Sequence, residues 1–358
     1  MNRTTVPHRD KQSPLVSVII PVYNAEQFVA QAIQSALAQT YRSYEIIVID
    51  DGSTDKTKSA LETFGDKIHC LYQENKGPSA ARNAGMRIAR GKYICFLDAD
   101  DLWTPEKLEV QVSFMEKNDD IALVFSDHED FNEDGIILSS FLGEKQKTFG
   151  LFPIKVGPIG NAFGKLVLEN FISTPTVMFR KFCLEKVGLF DEEIRSVEDR
   201  DLWLRISAMF TIACIPKIFC KRRVHKTNIS TLREISLRGK IRVLEKNWKL
   251  FPHLVPEPVW QKELADCYLS FGFILLQKER KWDAFQAGVK NLSYVWESIN
   301  GCWSIRFWPV IFKSIGLLCA TLLGWKVSRF LWKPIDKTFV FLCRIPRLSL
   351  LINKFHLS

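Results

Sequence analysis

Three short apolar runs punctuate the first hundred residues, and each stops abruptly at polar or acidic side chains. Residues 16–20 (VSVII), 44–49 (YEIIVI) and 92–97 (KYICFL) have the β-branched and aromatic content of buried strands. The first ends in Pro21, Val22, Tyr23 and Asn24, the second in Asp50-Asp51-Gly52-Ser53-Thr54-Asp55, the third in Asp98-Ala99-Asp100-Asp101. Between them the pattern changes period. Phe28, Val29, Ala32, Ile33, Ala36 and Leu37 recur at helical spacing, residues 80–89 form a second helical pattern after the loop 75–78, and Pro105 sits where a further helix can start. Strand, helix and strand joined by short loops imply parallel strands and right-handed crossovers. The expected fold is α/β, a Rossmann-like, mostly parallel sheet flanked by helices with a C-terminal helical extension. Its three polar strand ends share one edge, the edge at which open α/β sheets take their ligands.

The acids on that edge carry the first chemical reading. Burying one end of an acidic cluster is costly unless a cation or hydrogen-bond donors compensate, and oxygen ligands suit Mg²⁺ or Mn²⁺ carrying a phosphate. Residues 98–101 read this way, although a solvated turn has the same composition. The DDGSTD segment reads as a capped turn, with Ser53, Thr54 or Asp55 at the start of the next helix, which leaves Asp51 open to ligand contact. A third acidic pair, Glu198-Asp199, opens a stretch in which Leu202, Trp203, Ile206 and Met209 fall at helical spacing. It reads either as a dipole-favoured helix start or as a chemical group.

Six segments, in order and spacing, resemble the family-2 glycosyltransferases of the A-type nucleotide-sugar fold: VSVIIPVYN at 16–24, AQTY at 38–41, YEIIVIDDGSTD at 44–55, NKGPSAARNAG at 75–85, GKYICFLDADD at 91–101 and VEDRDLWLRI at 197–206. The resemblance covers residues 14–230. It implies an inverting transferase that uses a nucleotide-diphosphate sugar, a UDP-sugar by preference, and Mn²⁺ or Mg²⁺. Inverting transfer is one in-line displacement, so it needs a general base for the acceptor hydroxyl and an electrophile for the leaving diphosphate. By resemblance Asp199 matches the base and Asp100 the metal ligand. Pro21 and Tyr23 match contacts to the nucleotide base, Asp51 the acid at the uracil-like edge, Arg82 a basic residue near the nucleotide, and Asp98 the acid at ribose and metal. Glu26 and Lys76 are weaker donor candidates. His225, after the strand-like run 217–224, matches a histidine near diphosphate and metal, although a lone histidine is as readily structural. The Gln-x-x-Arg-Trp motif of processive members is missing after the base, which implies one sugar per encounter.

Length and charge bound the rest. A chain of 358 residues with 47% hydrophobic content holds one large α/β domain and an appendage. Nine scattered cysteines without Cys-x-x-Cys spacing read as free thiols of a reducing compartment. Residues 1–13 form a polar N-terminal tail unlike a leader peptide, and a cytoplasmic location is expected. Residues 14–230 are the catalytic domain and 231–300 a helical connector, in which 264–272 and 282–285 resemble one helix-turn-helix unit. The proline-rich segment 251–258 reads as a boundary. Residues 301–358 carry nine basic residues against one acid, an excess of +8 within a chain of net +9, interleaved with Trp and Phe. The apolar stretch 315–325 is shorter than the roughly 20 residues a spanning helix needs. The tail therefore suits an anionic membrane surface at the cytoplasmic face, where a lipid-linked acceptor would be concentrated, with a core-packed helix as its alternative.

Other classes fit less well. A nucleotidyltransferase calls for an early glycine-rich loop with a basic residue, and the residues after Ile20 are Pro-Val-Tyr-Asn-Ala-Glu. A dehydrogenase lacks its Gly-x-Gly-x-x-Gly. A non-catalytic glycan-binding or scaffold relative would have lost metal or base acids, which are all in place. A nucleic-acid partner is not expected, because the basic tail reads as helical rather than as a stacking sheet. Sugar choice is assigned to loops such as 138–163, whose Gly and Lys content suggests mobility.

Overall fold

The computed structural model describes residues 15–151, 154–225 and 232–299, together with Thr321. The chain divides into two compact units, Met1–Thr231 and Leu232–Ser358. The predicted N-terminal tail and, Thr321 apart, the basic aromatic tail lie outside the described residues.

The first unit follows the order β1 (Val16–Val22), α1 (Val29–Leu37), β2 (Tyr44–Asp50), α2 (Thr57–Glu62), β3 (His69–Tyr72), α3 (Pro78–Ile88), β4 (Tyr93–Phe96), β5 (Leu102–Trp103), α4 (Lys107–Lys117), β6 (Ile121–Asn132), β7 (Gly135–Leu138), α5 (Phe141–Phe149), β8 (Gly157–Pro158), α6 (Ala162–Leu168), β9 (Met178–Arg180), α7 (Cys183–Val187), α8 (Glu198–Met209) and β10 (Thr211–Arg223). The sheet runs β3-β2-β1-β4-β9-β6-β10-β5, with β7 beside β6 and β8 beside β10. Its long ladders are parallel: β1 joins β2 and β4, β2 joins β3, and β10 joins β6. Short antiparallel ladders insert β9 between β4 and β6 and close the far edge. Strands β1, β2 and β4 are buried along almost their whole length, as continuous Val/Ile runs require when helices cover both faces.

Two local features set the sheet against its helices. A Cβ on Gly85 would lie 2.5 Å from Ile19 Cγ2, so the absent side chain lets α3 sit directly on β1. Pro216 has no N–H for the ladder, and the β6/β10 register slips between Ile215 and Ile218, inside a strand longer than the predicted 217–224 run.

Several expected boundaries differ. Helix α2 starts at Thr57 with Lys56 as its N-cap, and Asp55 instead accepts from the Thr57 N–H at 2.9 Å. Segment 138–163 contains α5, capped by Ser140 and ended by Gly150 in the left-handed region, where composition had suggested a mobile loop. Asp127 on β6 anchors it by accepting from Ser140 Oγ and the Leu142 N–H. In the second unit α9 (Arg233–Leu250), α10 (Glu257–Gln277) and α11 (Lys281–Ile299) are helices, and α10 pairs with α11 as the helix-turn-helix pattern foretold. The segment 251–258 joins α9 to α10 within this unit and is not a domain boundary. Among the described residues the six cysteines are free, and no helix is long and apolar enough to cross a membrane.

Candidate active site

Parallel pairing aligns the ends of β2, β1 and β4, and the predicted polar residues gather there. Pro21 is the penultimate residue of β1, and Tyr23 lies just beyond the strand, 51% exposed. Asp51 is buried, and its carboxylate accepts from Gln73 Nε2 at 2.7 Å and from the backbone N–H groups of Lys76 at 2.9 Å and Gly77 at 2.7 Å. Asp51 thus fixes the loop that opens α3. Gly77, at φ +91°, makes this turn possible. Lys76 takes part through its backbone and leaves its side chain exposed. Glu26 is exposed and accepts from the Lys56 N–H at 2.8 Å, tying the loop after β1 to the loop after β2.

The acids after β4 divide between two partners. Asp98 accepts from Arg82 Nη2 at 2.7 Å, and Asp100 Oδ2 lies 2.9 Å from His225 Nε2. His225 stacks on Phe28 with ring centroids 5.2 Å apart. Arg223 donates its backbone N–H to Asp101 Oδ1 and its Nε to the Asp100 carbonyl, drawing the end of β10 onto the acidic turn. Burial, then the charge of Asp98, raises the Asp100 carboxyl above its ordinary range. Burial and both neighbouring carboxylates push Asp101 well above it.

Among the described residues no three His, Cys, Asp or Glu side chains form a closed metal cluster. The Asp100–His225 pair, with Asp98 two residues away, matches the chemistry of an open site. Mg²⁺ and Mn²⁺ commonly take one or two carboxylates from protein and complete their shell with phosphate oxygens and water. Crowded carboxyls that resist ionisation are also a setting in which a cation is welcome. The residues fit the metal.

Asp199 lies in the first turn of α8, after Val197, which holds φ +57° as the N-cap residue. A β-branched residue in the left-handed region is strained, and this strain sits directly before the acidic pair. The Asp199 carboxylate accepts from the Arg200 N–H at 2.7 Å, Thr174 Oγ1 at 3.1 Å and Asn170 Nδ2 at 3.3 Å. Burial, and next the Glu198 charge, push its carboxyl up to about 6. A carboxylate titrating near 6 can accept a proton at neutral pH, the property a general base needs. Glu198, the other member of the pair, accepts from Arg82 Nη1 at 2.7 Å.

Two groupings therefore emerge, Asp100 with His225, and Asp98 through Arg82 to Glu198, the neighbour of Asp199. Arg82 is buried, with both terminal nitrogens committed to these acids. Sequence reasoning did not find Asn170, Thr174, Phe28 or Arg223. The polar break Glu169-Asn170 after an apolar run and the Ser173-Thr174-Pro175-Thr176 turn were available signals, but their meaning depends on the fold bringing them to α8.

Residues 17–188 match the family described as Glycosyl transferase family 2. A UDP-Glc:alpha-D-GlcNAc-diphosphoundecaprenol beta-1,3-glucosyltransferase of Escherichia coli is 32% identical over 266 residues, which span 73% of this chain and 93% of that protein. The chain belongs to glycosyltransferase family 2. An uncharacterized glycosyltransferase of Rickettsia prowazekii is 36% identical over 219 residues, and this family-2 chain spans 65% of that relative's length while 60% of the chain is matched. Among solved structures, Staphylococcus aureus TarS 1-349 in complex with UDP aligns at a TM-score of 0.59 with 20% identity, covering 87% of this chain and 91% of that one. The Pyrobaculum calidifontis mannosyltransferase PcManGT, in complex with GDP-Man and Mn²⁺, aligns at 0.53 with 18% identity, covering 91% and 83%. Both structures share the α/β fold described above.

Proposed function

We propose that this family-2 chain transfers one sugar per encounter from a UDP-sugar to a glycan or lipid-linked acceptor in cell-surface polysaccharide synthesis, with inversion at the anomeric carbon. The observation that supports the reading is that Arg82 ties Asp98, on the turn that holds the Asp100–His225 pair, to Glu198, next to a raised, three-donor-held Asp199. The E. coli relative, named for a UDP-sugar and a diphosphoundecaprenol acceptor, supports the donor and acceptor classes.

In this reading Tyr23 and Pro21 receive the nucleotide base, Asp51 holds the loop beside it, and Asp98 faces the ribose. Asp100 and His225 would hold Mn²⁺ or Mg²⁺. When bound, that ion supplies positive charge to the leaving diphosphate. Asp199 takes the proton of the acceptor hydroxyl as its oxygen bonds to the anomeric carbon and the carbon–diphosphate bond breaks on the opposite face. The raised carboxyl suits a proton that must be held only until the product leaves. The basic aromatic tail would keep the enzyme at the cytoplasmic face of an anionic membrane.

The test is turnover of a panel of nucleotide sugars by the purified chain with Mn²⁺ and with chelator. UDP-sugar turnover that needs the ion is expected. Turnover unaffected by chelation would overturn the metal assignment, and GDP-sugar preference would overturn the donor assignment.

A further inference from the structure

Arg82 joins two acids one hundred residues apart in sequence. Nη2 donates to Asp98 and Nη1 to Glu198, each at 2.7 Å, with the arginine side chain 6% exposed. Its guanidinium carbon lies 5.6 Å from the centroid of the Phe190 ring. Asn83, one position on, donates to the Phe190 carbonyl and accepts from the Phe190 N–H, both at 3.0 Å. Helix α3 is thereby stitched to the segment leading into α8, and the strained Val197 turn is held in place. A planar guanidinium can reach two carboxylates with separate nitrogens, which a lysine ammonium on one stem does poorly.

We propose that Arg82 and Glu198 are positioning residues for transfer, a buried bridge from the donor-side acid Asp98 whose charges set the basicity of Asp199. This rests on the reading of Asp199 as the base. Replacing a buried ion pair with apolar groups is often neutral for stability, so stability alone is weak grounds for this pair. Its place between two site acids gives it a second role. Arg82 approaches Asp199 from α3, and Glu198, Arg200 and Asp201 share the helix of Asp199. The Arg200 guanidinium turns to the carbonyls of Leu166 and Val167, and Asp201 pairs with Arg205 at 2.8 Å. The contacts from Asn170 and Thr174 are neutral. Glu198 and Arg82 thus act in opposite directions on Asp199, the first raising its carboxyl and the second lowering it.

The test is the titration of the Asp199 carboxyl carbon by NMR in the full chain labelled at aspartate Cγ, assigned by its loss in Asp199→Asn. Wild type should titrate near 6. Glu198→Gln keeps an oxygen for Arg82 but removes the charge, so the midpoint should fall by about one pH unit, the order of effect of one close charge. Glu198→Asp should stay near wild type. The acid limb of UDP-sugar hydrolysis should move with the midpoint, and a weaker base should lower the plateau several-fold. An unmoved midpoint in Glu198→Gln would mean that the bridge is merely structural. If Glu198→Gln fails to fold, the neutral Arg82→Gln replaces it; loss of the positive charge should raise the midpoint, and no movement there overturns the inference equally. Failure of the base assignment has a separate signature, in which Asp199→Asn retains full turnover whatever the midpoints do.

Discussion

Removing the charge of Asp199 should make the protein more stable and nearly inactive. The carboxyl sits about two units above the ordinary 3.8 of an aspartate, at about 6, because burial and Glu198 outweigh its three donors. A folded value above the unfolded one means that the folded chain keeps a proton which the unfolded chain releases between about pH 4 and 6. Stability therefore falls as pH rises through that window, and the cost is complete above about 6. At 1.36 kcal/mol per unit the cost reaches about 3 kcal/mol, and partial exposure of the carboxyl brings it to about 1–3 kcal/mol.

Asp199→Asn removes this cost without opening a hole. Its amide oxygen can keep the Arg200 N–H, and its NH₂ can donate to Thr174 Oγ1, which accepts as readily as it donates. Thermal unfolding at pH 7.5 should show a higher midpoint, roughly 2–4 °C for each kcal/mol in a domain of this size. The gain should shrink as pH falls towards 4 and vanish below about pH 3, where the wild-type carboxyl is neutral in both states. Donor turnover should fall at least about a hundredfold, the scale for loss of a general base. A variant that is less stable at pH 7.5, or equally stabilised at pH 4 and 8, would refute the argument from burial. One with wild-type turnover would refute the role.

Gly85→Ala should destabilise the first unit by about 1–3 kcal/mol, since its Cβ would meet Ile19 Cγ2 at 2.5 Å in a tightly packed layer; chemical denaturation at constant slope reads this directly, and an unchanged midpoint would show that α3 can shift freely. Ending the chain after residue 300 removes the +8 excess of the tail, so flotation with anionic vesicles should be lost while donor hydrolysis persists. Full-length protein that stays at the bottom of the gradient would dismiss the membrane reading.

The sheet's first half was legible because its strands are continuous Val/Ile runs bounded by turn residues, and short loops between strand and helix leave little topological freedom. The antiparallel inserts were not. Strand β9 has three residues and β5 and β8 two each, too short for any periodicity, and they exist only because neighbouring strands offer open backbone groups. The same division holds at the site. Asp51, Asp98, Asp100 and Asp199 announce themselves as acids at element ends. Arg82 in SAARN was legible as a site residue, but its dual commitment to Asp98 and Glu198 depends on α3 and α8 meeting. Thr174 and Asn170 lie in irregular segments where polar residues are ordinary, so only the fold gives them a partner.

The balance of charge on this edge bears on how the donor enters. Asp98, Asp100 and Asp101 lie on one turn, which Arg82 ties to Glu198, the neighbour of Asp199, and among the described residues two arginines already pair with this turn. Arg82 is shared by two acids, and Arg223 is bound to the acidic turn through its Nε and backbone N–H. A nucleotide diphosphate brings further negative charge to that edge, so it meets repulsion unless a divalent ion enters with it. Metal dependence should then appear in binding and not only in turnover. Calorimetry of UDP against the full chain should give clear affinity with Mn²⁺ and at least about a tenfold loss with chelator, as the ion's coordinate bonds to phosphate are removed. Asp100→Ala should reproduce the loss even with Mn²⁺ present, while Asp199→Asn should not. Equal UDP affinity with chelator and with Mn²⁺ would show that the edge admits the diphosphate unaided, and Asp100 and His225 would then need another role.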